Sequence, residues 1–145
     1  MTKILFVCLG NICRSPMAEF ILKDLVRKKN KQEEFYISSA ATSYYNELEK
    51  EEMYGDAKQI LKEMNIPYEK HIAKQIKKED YEKYDYILAM EEKNIKDILK
   101  IVGPDKQNKI YSQHQIKCEK LKAISVKSRT SQGFPLSPSL PIPYS

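Results

Sequence analysis

Apolar and polar positions alternate along this chain in blocks that predict strands and helices in turn. Residues 3–9 (KILFVCL) form a short, nearly unbroken apolar run, the pattern of a strand buried on both faces. A helix is expected to start at Ser15-Pro16: Ser15 as its cap, Pro16 in the first turn, Glu19 near the positive end of the dipole. Phe20, Ile21, Leu22, Leu25 and Val26 give that helix one apolar face through about Lys29. Residues 35–42 (FYISSAAT) predict a second strand, and the polar residues 43–52 a loop. A helix is predicted over 53–65 with Ile60, Leu61 and Met64 inward, and a short helical turn over 79–83. Residues 84–90 predict a third strand and 91–102 a helix that Gly103-Pro104 stops. Lys109-Ile110-Tyr111 begins a fourth strand. This alternation predicts an α/β fold, a three-layer sandwich around a four-stranded, mainly parallel sheet. Ligands of such sheets bind beyond the carboxyl ends of strands, so the loop after the first strand is the first place to look.

The periodicity stops near residue 111. Residues 112–130 show little of either period, and 131–145 (SQGFPLSPSLPIPYS) hold four of the seven prolines and no charge. A folded domain over 1–111, with a divergent and poorly ordered tail over 112–145, is the expected organisation. Charge divides at nearly the same place. Residues 1–105 carry 18 basic and 19 acidic side chains, whereas 106–145 carry seven basic and one acidic. The net charge of +5 therefore belongs to the tail, and the folded part is expected to bind neither nucleic acid nor membrane. The short N-terminal apolar run lacks a cleavage pattern, no run approaches the roughly 18 residues that span a bilayer, and a cytoplasmic monomer is expected. Three cysteines (Cys8, Cys13, Cys118) and two histidines (His71, His114), with no C-x-x-C, predict neither a disulfide scaffold nor a metal site. No cofactor is expected.

The chemistry concentrates in Cys8-Leu9-Gly10-Asn11-Ile12-Cys13-Arg14-Ser15, a C-x5-R string between a strand end and a helix start. Such a loop aims backbone N–H groups at one anion, and the helix dipole adds favourable potential. Gly10 permits close approach, Asn11 tolerates a left-handed backbone, and Arg14 offers a planar fork to two phosphoryl oxygens. The same field is expected to lower the Cys8 pKa and make it a nucleophile. Ser15 is placed to donate to its sulfur. The plainer alternative is a cysteine that merely ends a buried strand.

The string Val7–Glu19 (VCLGNICRSPMAE) closely resembles the signature of low-molecular-weight protein tyrosine phosphatases. The resemblance covers about residues 3–111. It implies that Cys8 attacks phosphorus in phosphotyrosine proteins or small aryl phosphates and that Arg14 and the loop hold the phosphoryl group. Ser38-Ser39-Ala40-Ala41-Thr42-Ser43 is similar to the second-strand motif, which makes Ser39 a brace of the loop. Tyr44 and Tyr45 fall where the family lines its substrate crevice, and His71-Ile72-Ala73-Lys74-Gln75 resembles a segment whose histidine joins the loop asparagine, here Asn11. Reversible pairing of Cys8 with Cys13 is likewise implied. The family's general-acid aspartate sits in an Asp-Pro-Tyr-Tyr loop that has no counterpart here. Leu140-Pro141-Ile142-Pro143-Tyr144 only faintly echoes it, so the general acid is unknown and turnover is expected to suffer. The abrupt change after residue 111 resembles a frameshifted or alternatively spliced end. Two alternatives stand beside a working phosphatase: a phosphotyrosine-binding member that turns over poorly, and an arsenate reductase, disfavoured because residues 70–105 hold no cysteine.

Overall fold

A computed structural model describes residues 1–112. The tail over 112–145, its order and the Leu140–Tyr144 echo therefore lie outside the described residues but for Ser112. The chain runs β1 (Thr2–Cys8), α1 (Arg14–Lys28), a 3₁₀ turn, β2 (Phe35–Ala41), α2 (Tyr45–Leu48), α3 (Gly55–Glu63), α4 (Asp80–Lys83), β3 (Tyr86–Ala89), α5 (Glu92–Val102) and β4 (Ile110–Ser112). The four strands lie in the order β2-β1-β3-β4, and every pairing is parallel. The predicted α/β architecture is thus the one observed.

The apolar run of β1 is explained by its central place. Ile4, Phe6 and Cys8 face one side and pack with Ala18, Leu22 and Val26 of α1. Leu5 and Val7 face the other and pack with Ile98 and Val102 of α5. A third cluster joins Met17, Phe20 and Ile21 of α1 to Ala57 and Leu61 of α3. Helices on both faces hide a sheet whose strands need not alternate polar with apolar. The chain leaves β1 toward β2 on one side and reaches β3 on the other, so the strand order switches at the carboxyl end of β1. The Cys8–Arg14 loop sits there.

Several local expectations are corrected. The predicted loop over 43–52 contains the helical turn α2, whose N-cap, Tyr44, has helical backbone angles. α3 is shorter than 53–65; Met53 is buried before it starts, and Met64 at its C-cap is partly exposed instead of inward. α1 begins at Arg14 with Cys13 as its cap and no side-chain capping bond, so Ser15 is a buried residue of the first turn and not the cap. Glu19 lies beyond the first turn and acts through hydrogen bonds instead of the dipole. Gly103 does end α5: its φ of 89° is in the left-handed region that favours glycine, and its N–H donates to the Leu99 carbonyl at 2.9 Å.

Candidate active site

The loop between β1 and α1 is held by its carbonyls, one by one, from outside. Cys8 O accepts from Thr42 N–H (2.9 Å), Leu9 O from Ser43 N–H (3.0 Å), and Ile12 O from Tyr54 N–H (2.6 Å). Asn46 Nδ2–H donates to Gly10 O at 3.0 Å, and His71 Nε2–H donates to Asn11 O at 3.1 Å. Five consecutive carbonyls are thus engaged by surrounding segments. In a trans peptide the N–H points opposite to the C=O, so the N–H groups of residues 9–13 are turned the other way. That of Asn11 reaches the Cys8 sulfur at 3.2 Å. Those of Leu9, Gly10, Ile12 and Cys13 donate to no carbonyl among the described residues. They join the free N–H groups of the first turn of α1, and the concave side of the loop is a cradle of donors suited to an anion.

Asn11 is the hub. Its φ of 57° is the left-handed conformation that asparagine tolerates, and it is fully buried. Nδ2 donates to Ser15 Oγ (2.8 Å) and Ser39 Oγ (3.0 Å). Oδ1 accepts from Lys74 N–H and His71 Nε2–H, each at 3.1 Å. Ser39 in turn donates to Glu19 Oε1 at 2.6 Å, and Lys23 neutralises the other Glu19 oxygen. With Asn11 donating into its oxygen, the Ser15 hydroxyl has two acceptors for its proton, Cys8 Sγ at 3.0 Å and the more distant Ala40 carbonyl at 3.5 Å. Burial holds His71 below the ordinary imidazole range, against the opposing pull of Glu19. Burial also pushes the Cys13 thiol up, and the neighbouring Cys8 adds to this while Arg14 opposes it.

Arg14 opens α1 and pairs through Nη2 with Glu91 Oε2. Glu91 caps α5 in a reciprocal box with Asn94, which fixes its backbone at the end of β3. The hydrogen bond from Arg14 holds the Glu91 carboxyl below the usual carboxylate range. Arg14 Nε is buried and has no partner among the described residues, which leaves one edge of the fork for another acceptor.

The structure therefore gathers Cys8, Leu9, Gly10, Asn11, Ile12, Cys13, Arg14, Ser15, Ser39 and His71 into one site. Tyr44 and Tyr45 lie between Ser43 and Asn46, the two residues that hydrogen-bond the loop carbonyls of Leu9 and Gly10, and both side chains are largely exposed, as are Leu9 and Tyr54. Cys8 and Cys13 are both free thiols. Sequence reasoning missed Asn46 and Glu91 and misread Glu19. Only the Glu91–Asn94 spacing carried a local signal, that of a capping box. Among the described residues no cluster of His, Cys, Asp or Glu could hold a metal, and no helix is long and apolar enough to cross a membrane.

Comparison with known proteins points the same way. The family model "Low molecular weight phosphotyrosine protein phosphatase" matches residues 3–128, running past the residue 111 at which the sequence pattern breaks. The human protein of that name is 45% identical over 95 residues, covering 66% of this chain and 58% of its own length. The low molecular weight protein-tyrosine-phosphatase YfkJ of Bacillus subtilis is 36% identical over 103 residues, covering 71% of this chain and 65% of its own. The crystal structure of YfkJ superposes with a TM-score of 0.76 at 32% identity, over 82% of this chain and 74% of that one. The chain spans less than two thirds of the length of these curated relatives.

Proposed function

Because the chain belongs to the low molecular weight phosphotyrosine protein phosphatase family, we propose that it hydrolyses aryl phosphate monoesters, phosphotyrosine in proteins above all, through a cysteinyl phosphate on Cys8. One observation carries this reading: five outward-held carbonyls turn the loop N–H groups to the opposite side, where that of Asn11 meets the Cys8 sulfur, and Arg14 Nε is buried with no partner among the described residues.

In the first step Cys8 Sγ attacks phosphorus. The S–P bond forms and the bond from phosphorus to the phenolic oxygen breaks. Charge develops on the equatorial phosphoryl oxygens, where the loop N–H groups and the Arg14 fork meet it. In the second step water attacks phosphorus, the S–P bond breaks, and inorganic phosphate leaves. Ser15 and the Asn11 N–H stabilise charge on the departing sulfur. The Asn11 hub keeps both donors aligned. Tyr44 and Tyr45 offer faces against which an aryl group packs. No metal takes part in this scheme. The proposed setting is the cytoplasm, where Cys8 stays reduced, with the chain acting as a monomer.

A phenolate leaves poorly unless it is protonated, and no carboxylate follows Glu119 in the sequence. That observation supports a second reading, a member that captures phosphotyrosine and releases it slowly. Assaying p-nitrophenyl phosphate and a phosphotyrosine peptide side by side, with Cys8→Ser as control, separates the two. Turnover of both substrates, lost in Cys8→Ser, establishes the phosphatase. Binding of vanadate without turnover of either substrate establishes the binding protein. Failure of both turnover and vanadate binding refutes both readings.

A further inference from the structure

We propose that Asn46 is a positioning residue for the Cys8 nucleophile, acting through the Gly10–Asn11 peptide; the inference rests on the phosphatase reading of this site. That peptide is gripped at both ends. Its carbonyl accepts from Asn46 Nδ2–H at 3.0 Å, and its N–H donates to Cys8 Sγ at 3.2 Å. Of the loop peptides, it is the one whose N–H touches the attacking atom. A donor on the carbonyl fixes the peptide plane, and it also polarises the unit so that the N–H becomes a better donor. Asn46 thus acts on the sulfur without touching it.

Two further observations make the contact a seat instead of a passing one. A Cβ built on Gly10 would lie 2.6 Å from Asn46 Nδ2, so the amide packs directly on the glycine and the pair is mutually fitted. The Asn46 main chain is also anchored. Its carbonyl accepts from Glu51 N–H (2.9 Å), and the Glu51 carbonyl accepts from Ala73 N–H (2.9 Å), next to the His71–Lys74 segment that holds Asn11. The two side-chain donors on loop carbonyls, Asn46 and His71, therefore belong to one connected frame.

The role is distinct from tying α2 down. The test reads the sulfur itself in the full chain, by the pH dependence of iodoacetate alkylation of Cys8, alongside kcat and KM for p-nitrophenyl phosphate. The charged and titratable groups around Cys8 are Arg14 and Cys13 in the loop, Glu91 beyond Arg14, and Glu19 and His71 behind Asn11; all are unchanged in the variants. Asn46→Ala is expected to move the alkylation midpoint up by about half a pH unit and to lower kcat about tenfold, with KM affected less. Asn46→Asp keeps the volume but supplies no donor when ionised, and it should lose at least as much. Leu48→Ala, on the same helical turn and exposed, should leave both readouts unchanged. An unmoved midpoint in Asn46→Ala, or an Asn46→Asp that matches the parent, overturns the proposal. Should Asn46→Ala fail to fold, the uncharged and nearly isosteric Asn46→Leu, which likewise lacks the donor, carries the comparison. If the parent chain does not turn over p-nitrophenyl phosphate, the phosphatase reading fails, while the alkylation profiles still decide the Asn46 contact.

Discussion

Replacing Asn11 by alanine removes the hub of the loop, and the structure sets the size of the loss. Two donated bonds, to Ser15 and Ser39, are fully buried and have no substitute; at about 1 kcal/mol net each they contribute about 2 kcal/mol. The two bonds accepted by Oδ1 are worth less on removal. His71 still reaches the residue-11 backbone carbonyl, and the Lys74 N–H is only partly buried, so about 1 kcal/mol covers both. The φ of 57° adds a backbone contribution, because alanine occupies the left-handed region at a cost of about 1 kcal/mol that asparagine largely avoids. Asn11→Ala should therefore destabilise by about 4 kcal/mol, a large share of the roughly 5–15 kcal/mol typical of a domain. Asn11→Gly loses the same hydrogen bonds without the backbone strain and should cost about 3 kcal/mol. Urea unfolding, compared at constant m-value, measures both. An Asn11→Ala within about 1 kcal/mol of the parent, or a glycine variant less stable than the alanine one, would refute the hub and the strain argument respectively.

Three other outcomes follow from the same geometry. Glu91 has its folded-state pKa held down by Arg14, so the stability it contributes is present above the ordinary carboxylate pKa and is lost as pH falls through the depressed value; Glu91→Gln should flatten the acid limb of a melting-temperature profile below about pH 4.5 and weaken vanadate binding by loosening Arg14. The Cys13 thiol, raised by burial, should remain protonated and slow to alkylate at pH 8 in Cys8→Ser, as peptide mapping by mass spectrometry would read; labelling as fast as free cysteine would contradict it. Leu61 is fully buried between α3 and α1, and Leu61→Ala should destabilise by about 2–5 kcal/mol in chemical denaturation.

What the sequence disclosed, and what it withheld, divides along the range of the contacts involved. β1, α1 and α5 were legible because burial on one or both faces imposes a local period, and the C-x5-R string was legible because its residues are neighbours in the chain. The turn α2 was not, since YNEL has no apolar period and its place is set by Asn46 reaching back 36 residues to Gly10. Glu19 looked like a dipole partner by position; its actual partner, Ser39, is 20 residues away on β2. Ser15 looked like a cap because Ser-Pro so often opens a helix, but the loop had already supplied the helix start, which freed the hydroxyl to face Cys8. The link from Glu91 to Arg14 crosses 77 residues and leaves no periodic trace.

The arrangement also separates two demands of the proposed reaction. Among the described residues, the groups proposed to hold a phosphoryl group and present the sulfur lie between residues 8 and 91, braced by donors from segments near residues 42–46, 54 and 71–74. Protonation of the leaving oxygen is a separate demand, and it depends on the leaving group. An ester whose phenol ionises easily needs little help, whereas phosphotyrosine, with a phenol pKa near 10, needs a proton in transit. The sensitivity of kcat to leaving-group pKa therefore measures the acid independently of the loop. A steep fall in rate as the pKa rises, with vanadate affinity intact, would locate the deficit in proton donation. A shallow dependence would mean that the chain supplies a donor which its carboxylate pattern does not reveal. Because the cradle is built by backbone groups and the Asn11 network, neither result would alter the case for phosphoryl binding at Cys8 and Arg14.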